Sequence, residues 1–348
     1  MLGLNSSITK PVEKNVSKFY KILKSSLKTK GEDMLIVSDY GKNNNTMASS
    51  IAYGYYLAAK KKGLNATLLF QEPKKGFMNA DPHVIQAIKK LEKNNLIILA
   101  LSNKLGKFSD QNSFRTFCKN RGHRFLSATG LGDVKTSYLE VFLEAMDVNY
   151  ARLRKKGLAI KKQWDRANII RVKTAAGTDV TFNVSGMEAI ANIGEYHEPG
   201  TGGNMPAGEV YIPPQGYHGV NGKIVIDGSM KTENGALLVS SPLTIKVSDG
   251  RVTQLEGKHA KLLERTFQKF ENRAKYPERV RCIGELGVGI NPGAVLIGSM
   301  IMDEKVMGTG HIAIGSNSWF GGVIKTLYHG DQVFKSPVYY VDDKKMQY

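Results

Sequence analysis

The sequence predicts an α/β fold in two domains: an N-terminal α/β domain with a parallel sheet, residues 1–162, and a C-terminal β-rich α+β domain, residues 163–348. Three observations support this prediction. The 348 residues are about twice the usual domain size. The first part of the chain alternates short apolar runs with helical patterns, whereas from Ala167 onwards the chain is rich in glycine and in short strand-like segments.

The strands predicted for the first domain are four short apolar runs: Met34–Ser38, Ala66–Phe70, Leu96–Leu101 and Arg124–Ser127. Helical patterns lie between them, at Thr46–Lys62, around Val84–Leu91 and at Ser113–Asn120. Strands that follow one another through helices, without tight hairpins, pair in parallel. The pattern therefore predicts a parallel sheet with helices on its faces, closed by one or two helices in the basic, amphipathic stretch Val141–Gln163.

The second domain begins with a predicted hairpin at Ala167–Ser185, where two alternating segments are separated by Ala-Ala-Gly-Thr. Further short strands are divided by Gly, Asn or Asp turns, at Glu209–Ile212, Lys223–Ile226, Ala236–Val239 and Leu243–Val247. One amphipathic helix, about Lys258–Asn272, interrupts them. The domain is therefore predicted to be β-rich.

The chain is basic: 49 Lys and Arg against 31 Asp and Glu give a formal net charge of +18. Such a charge is compatible with nucleic acid, an anionic membrane or an acidic substrate as partner. The lysines fall mostly in short runs on predicted helices, such as Lys60–Lys62, which favours solvated helix faces. We therefore expect no specific binding of nucleic acid and no membrane association.

A cytoplasmic location is predicted from three features. Cys118 and Cys282 cannot build a disulfide framework, and neither belongs to a Cys-x-x-Cys pair. The first residues, MLGLNSSITKPVEKN, contain no apolar core of signal-peptide length. The longest apolar run, Leu96–Leu101, is too short to cross a bilayer.

Candidate metal ligands are concentrated in the last third of the chain, in glycine-rich surroundings: Glu209, Glu285, Asp303, Glu304, His311, His329 and Asp331. On a strand, His329 and Asp331 would point to the same face. Imidazole and carboxylate together suit Zn²⁺, Co²⁺, Mn²⁺ or Fe²⁺, and the absence of a nearby cysteine argues against a structural thiolate zinc site. Each motif is weak alone, because a surface histidine beside an acid is common.

The joint pattern is more specific. NMPAGEVY, DGSM, PLTIKVSDGRV, GELGVGIN, HIAIG and HGD, in that order, resemble the blocks of the thermophilic metalloaminopeptidase family that includes aminopeptidases T and S. The resemblance implies a homodimer that releases N-terminal amino acids from short peptides. It also implies two divalent ions, held by Glu209, Glu285, His311, His329 and Asp331, with Glu285 closest to the nucleophilic water. Paired ions would lower the pKa of such a water.

The chain departs from that family at two positions. The family carries a glutamate five residues before its first histidine, where this chain has Val306, so Asp303 or Glu304 would substitute only with an insertion. The family also has a tyrosine seven residues after that histidine, where this chain has Ser318. Stabilisation of the tetrahedral intermediate is therefore in question.

Two other functions stay open on the same scaffold. The sequence also resembles the non-haem iron enzymes that open dihydroxypyridine rings, in which two histidines and one carboxylate bind one Fe(II). His311, His329 and Asp331 would supply that triad. The additional carboxylates, Glu209 and Glu285, favour two ions over one. A binding protein that retains the scaffold without catalysis is the third alternative.

Overall fold

The structure is a computed structural model that describes residues 6–41, 45–108 and 113–347. The first five residues of the segment used for the signal-peptide prediction lie outside the described residues. The α-helices are α1 (Ser6–Lys14), α2 (Val16–Ile22), α3 (Met47–Lys61), α4 (Pro82–Lys90), α5 (Phe114–Arg121), α6 (Leu139–Met146), α7 (Tyr150–Trp164), α8 (Ala260–Glu271) and α9 (Met300–Asp303).

The strands are β1 (Met34–Asp39), β2 (Ala66–Gln71), β3 (Leu96–Leu101), β4 (Arg124–Thr129), β5 (Ile169–Lys173), β6 (Asp179–Asn183), β7 (Ile190–Asn192), β8 (Gly202–Asn204), β9 (Glu209–Ile212), β10 (Val220–Ile226), β11 (Ser229–Thr232), β12 (Gly235–Leu238), β13 (Leu243–Ser248), β14 (Arg251–Glu256), β15 (Ile283–Gly289), β16 (Thr309–Gly315), β17 (His329–Lys335), β18 (Val338–Val341) and β19 (Lys344–Lys345).

The chain divides into two compact units. The first contains the residues up to Tyr150 together with Gly194–Ala207, and the second contains Ala151–Ile193 and Gly208–Tyr348. The boundary predicted at residues 162–163 falls at the end of α7, whereas the units divide at its start. The reason is that α7 packs on the second unit through Trp164, whose ring lies 5.7 Å from that of Tyr339.

The first unit is built on a five-stranded sheet in the order β2-β1-β3-β4-β8, with parallel pairing between all neighbours. Both β1 and β3 are buried along their whole length, as the continuous apolar runs of a sheet covered on both faces require. Val84 and Ile88 of α4 pack with Leu35 and Val37 of β1 in one hydrophobic cluster. The predicted parallel α/β sheet is therefore confirmed.

The second unit contains two seven-stranded sheets, in the orders β14-β13-β10-β6-β5-β18-β19 and β12-β11-β17-β16-β15-β9-β7. The predicted hairpin forms as β5 and β6, which pair antiparallel from Ile169–Asn183 to Lys173–Asp179. Tyr339 on β18 of the first sheet donates its hydroxyl to the Gly287 carbonyl on β15 of the second, at 2.9 Å. A β-rich second domain is thus confirmed.

The central strands of the second sheet, β15 and β16, are buried throughout. Alternate residues of these strands and of β9 and β17 form an apolar face, with Leu286, Val288, Val210, Ile212, Ile312, Ile314 and Phe334 all fully buried. The residues between them face the other way. Those residues include the histidines and carboxylates of the candidate site, together with Gly287 and Gly289.

Within residues 6–41, 45–108 and 113–347, no helix combines the length and the apolar character that crossing a membrane would require.

Candidate metal centre

The cross-strand register brings the candidate ligands onto one face of the sheet. Glu285 on β15 is directly opposite Ala313 on β16, which in turn is opposite Asp331 on β17. His311 lies two residues from Ala313 on the same strand, and His329 lies two residues from Asp331. Because directly opposed residues share a face and alternate residues return to it, the two imidazoles and the two carboxylates converge. Ala313 places only a methyl group between the two carboxylate-bearing positions.

The distances between the ligand atoms describe a compact cluster. His311 Nε2 is 3.3 Å from Glu285 Oε1, and His329 Nε2 is 3.9 Å from Glu285 Oε2. His329 Nε2 is also 3.5 Å from Asp331 Oδ1. The Glu285 carboxylate therefore lies between the two imidazoles. His311, Glu285 and Asp331 are buried, whereas the side chain of His329 is 27% exposed.

The tautomer of His329 is fixed by the backbone. Its Nδ1 lies 2.7 Å from the carbonyl oxygen of Ser316, which can only accept a hydrogen bond, so Nδ1 carries the proton. The lone pair of Nε2 is then directed to the carboxylates, as a metal ligand requires. On its outer side the imidazole contacts the Trp319 indole, at a ring-centroid distance of 4.7 Å.

A glycine makes room for His311. A Cβ on Gly287 would lie 2.0 Å from His311 Nε2, so any side chain at this position would displace the imidazole. The hydrogen bond that the Gly287 carbonyl accepts from Tyr339 holds this part of β15 in place. The glycine in the sequence GELGVGIN is therefore part of the site geometry.

Glu209 joins the cluster from β9. Its Oε2 is 3.8 Å from His311 Nε2, and its Oε1 accepts a hydrogen bond from the ammonium group of Lys305 at 2.5 Å. The same ammonium also pairs with Glu304. Burial alone would lower the pKa of Lys305, but the carboxylates of Glu209 and Glu304 outweigh this effect and hold the pKa above its usual range.

Burial also changes the carboxylates. It raises the pKa of Glu285 to about 8, against the opposing effect of His329. It raises the pKa of Asp331 in the same direction, and the neighbouring Glu285 carboxylate adds to the increase. Glu304 is shifted upwards as well, chiefly by burial and against the effect of Lys305. Without a bound cation, burial therefore favours the protonated, uncharged form of these carboxyl groups.

A divalent cation fits this donor set. Glu285, His311 and Asp331 each present one ligand atom, and these atoms lie within 4.8 Å of one another. Ligand atoms that share an ion with bonds of about 2.1 Å lie roughly 3 Å apart, close to the separations of 3.3 to 3.9 Å measured here. Two imidazoles with carboxylates suit Fe²⁺, Mn²⁺, Co²⁺ or Zn²⁺.

The comparison with protein families identifies the relatives. The family model NicX, 2,5-dihydroxypyridine 5,6-dioxygenase, matches residues 14–347, nearly the whole chain. This chain belongs to the 2,5-dihydroxypyridine 5,6-dioxygenase family. No curated protein matches the chain in a sequence search.

Two solved structures show the same fold. The 2,5-dihydroxypyridine dioxygenase of Pseudomonas putida KT2440 superposes with a TM-score of 0.74 at 17% identity, covering 96% of this chain and 95% of that chain. AmpT from Thermus thermophilus superposes with a TM-score of 0.62 at 13% identity, covering 96% of this chain and 97% of that chain. The scaffold is therefore common to a dioxygenase and to the AmpT protein.

The aminopeptidase activity predicted from the ordered blocks is wrong, and so is the assignment to the hydrolases and proteases. The match of nearly the whole chain to the dioxygenase family overturns both. The blocks misled because they describe the scaffold and its metal-binding face, which the similarity to AmpT confirms at the level of fold. Short peptides as substrates, and Glu285 as the residue closest to a hydrolytic water, depended on that activity and are not proposed for this chain.

The structure shows where each predicted ligand residue lies. The structure brings together Glu209, Glu285, His311, His329 and Asp331, and the ion count of two is not confirmed. Glu304 reaches the site through Lys305. Asp303 does not: its carboxylate accepts hydrogen bonds from the backbone amides of Ile297 and Gly298, at 2.8 and 3.0 Å.

Sequence reasoning missed Lys305 and Ser316. Lys305 is one of many lysines in the chain, so its residue type alone does not single it out. It lies in the loop between α9 and β16, and the path of that loop determines which face of the sheet its side chain reaches. Ser316 contributes through its carbonyl, which has no signature in the sequence. Ser318 and Trp319 belong to a short 3₁₀ helix, Ser318–Phe320, that ends beside His329.

Proposed function

We propose that this protein is an Fe(II)-dependent dioxygenase that opens a dihydroxylated pyridine ring with one metal ion. The family match supports the reaction class. The observation that carries the proposal is the convergence of two imidazole Nε2 atoms on the carboxylates of Glu285 and Asp331. Two histidines and a carboxylate, with positions left for substrate and O₂, are the usual ligands of non-haem Fe(II) oxygenases.

His311, His329 and Asp331 are the proposed ligands, and Glu285 is a further carboxylate within reach of both imidazoles. Fe(II), when bound, supplies the redox chemistry by which O₂ reacts with an electron-rich ring. The protein residues hold this centre in one geometry. Ser316 fixes the proton of His329 on Nδ1, and Gly287 provides the space for His311.

The exposed side of the centre suits a flat aromatic substrate. His329 is partly exposed, and the Trp319 indole beside it is 62% exposed. Phe320 packs edge-to-face against Tyr211, at 5.2 Å between ring centroids. A dihydroxypyridine could approach from this side and place its ring against Trp319. The buried side, at His311, is closed to water.

The reaction proposed is the one that the family description names: cleavage between ring carbons 5 and 6 of 2,5-dihydroxypyridine. Both atoms of O₂ enter the product, one at each carbon of the broken bond. The ring supplies the four electrons that reduce O₂, so no external reductant is needed.

The test is oxygen consumption by protein loaded anaerobically with Fe(II), on addition of 2,5-dihydroxypyridine. We expect O₂ uptake in step with loss of the substrate. His329→Ala and Asp331→Ala should abolish uptake and lower the iron content, whereas the matched control His218→Ala, at an exposed histidine paired with Asp249, should change neither. Iron-loaded protein that consumes no O₂ with any of a panel of dihydroxypyridines would contradict the proposal.

The homodimer, the cytoplasmic location and the absence of nucleic-acid binding remain proposals. Light scattering tests the dimer, and a monomer at all concentrations would exclude it. A filter-binding assay at physiological salt tests nucleic acid, for which binding should fall steeply as salt rises if the charge of +18 is used in that way. Micromolar affinity at physiological salt that survives His329→Ala would contradict the expectation.

A further inference from the structure

Lys305 is a charged side chain in the interior. Its exposure is 1%, and it ranks among the largest fully buried side chains of the chain. A buried ammonium group is costly unless it is paired and hydrogen-bonded. Lys305 meets this condition with two partners, because its Nζ lies 2.5 Å from Glu209 Oε1 and also pairs with Glu304.

The backbone around Lys305 is fixed by hydrogen bonds to Asn291. The Lys305 carbonyl accepts a hydrogen bond from the Asn291 amide at 2.8 Å, and Met307 donates in turn to the Asn291 carbonyl at 3.0 Å. Gly289 on β15 lets this segment approach, since a Cβ there would lie 2.2 Å from the Val306 carbonyl oxygen. Lys305 is therefore built into the edge of the site.

The position of Nζ matters because Glu209 connects it to the metal centre. One oxygen of Glu209 accepts a hydrogen bond from the Lys305 ammonium group, and the other is 3.8 Å from His311 Nε2. His311 Nε2 is itself 3.3 Å from Glu285. Glu209 thus lies between two cations: the proposed metal ion on the side of His311, and the ammonium group of Lys305 on the other side.

The carboxylate charges explain why a second cation is needed between Glu209 and Glu304. The cluster contains four buried or nearly buried carboxylates: Glu209, Glu285, Glu304 and Asp331. When a divalent ion is bound and the carboxylates are ionised, the ion balances two of their charges and Lys305 balances a third. Without Lys305, Glu209 and Glu304 would face each other across a vacated space, as two oxygen donors of the kind that hard divalent ions prefer.

We infer that Lys305 is the second cation of the centre, and that its ammonium group, by occupying the space between Glu209 and Glu304, limits the site to one metal ion. The inference rests on the single-ion site of the proposed function, and not on the reaction carried out there. It also gives Glu209 and Glu304 a role: they bind an internal cation and are not ligands of the catalytic ion in the native protein.

The test compares the number of Mn²⁺ ions bound per chain in the wild-type protein, Lys305→Ala and the charge-preserving control Lys305→Arg. Equilibrium dialysis with elemental analysis gives the number, and electron paramagnetic resonance reports whether two ions interact. We expect one ion per chain for the wild type and for Lys305→Arg. We expect two for Lys305→Ala, with a spectrum broadened by coupling between neighbouring ions.

Two results would overturn the inference: two ions per chain in the wild type, or one ion in a folded Lys305→Ala protein at saturating Mn²⁺. If Lys305→Ala is unfolded without metal, its circular dichroism is followed during Mn²⁺ addition. Recovery of the wild-type spectrum with two ions per chain supports the inference, and an unfolded protein at saturating Mn²⁺ overturns it. Failure of the dioxygenase assay with one ion bound would contradict the proposed reaction and leave the inference intact.

Discussion

Replacing Gly287 by alanine should remove His311 from the metal centre. The added Cβ would lie 2.0 Å from Nε2, 2.2 Å from Cε1 and 2.6 Å from Cδ2 of the imidazole. Restoring an ordinary contact of about 3.4 Å requires the ring to retreat by roughly 1.4 Å. A metal–nitrogen bond is only about 2.1 Å long, so a displacement of this size breaks it. His311 is fully buried, and its ring cannot move without disturbing its neighbours.

The expected loss is at least 10- to 100-fold in metal affinity, or about 1.4 to 2.7 kcal/mol, because changes that only reorient a ligand already have effects of this size. The assay is a competition titration of Mn²⁺ against a fluorescent chelator. Gly222→Ala is the matched control, because its Cβ would lie 2.3 Å from the Asp179 carbonyl oxygen, in the other sheet of the second unit and away from the metal centre. The control should lower the melting temperature and keep one ion bound. Wild-type affinity in Gly287→Ala would refute the reasoning.

Three further predictions concern other parts of the second unit. Trp319→Ala should raise KM for a dihydroxypyridine about 3- to 10-fold with little change in kcat or bound metal, because it removes an aromatic contact outside the ligand set. An unchanged KM in steady-state assays would contradict this role of Trp319. Arg281→Met should lower the free energy of unfolding by about 1–3 kcal/mol at pH 7, since Arg281 makes bidentate hydrogen bonds to Glu264 and Glu271. The hydrogen bond from Arg281 lowers the pKa of Glu264, so this stabilisation is present above the usual pKa of a glutamate and is lost as pH falls through the lowered value. If urea titrations show that Arg281→Met loses the same free energy of unfolding at pH 7 and below pH 4, this pH dependence is excluded.

The fold could be predicted because its signals are local. The apolar runs at Met34–Ser38 and Leu96–Leu101, with helical patterns between the strands, specify a parallel sheet, and β1 and β3 pair from Met34–Leu96 onwards. The hairpin at Ala167–Ser185 has alternating strands and a turn of small residues. The division into units also has a non-local part, because Gly202–Asn204 pairs with β4 after a long excursion of the chain and so belongs to the first unit.

The candidate site could be predicted in its residue types and not in its chemistry. His329 and Asp331 share a strand face by simple alternation, and Glu285 was visible beside its glycines. The register that places Glu285 opposite Ala313 depends on a bulge in β15 between Ile283 and Glu285, which no local pattern specifies. The partner of Glu209 is an ammonium group from a distant loop. Carboxylates beside histidines serve hydrolysis and oxygenation alike, so donor types could not decide the reaction.

The most direct test of the central claim is isotope incorporation. Protein loaded with one Fe(II) per chain is mixed with 2,5-dihydroxypyridine under ¹⁸O₂ in ordinary water, and the ring-opened product is examined by mass spectrometry. A single-iron dioxygenase predicts a product that carries two ¹⁸O atoms, formed in equal amount to the O₂ consumed. A product whose added oxygen comes from water, or no product at all from iron-loaded protein, would contradict the account.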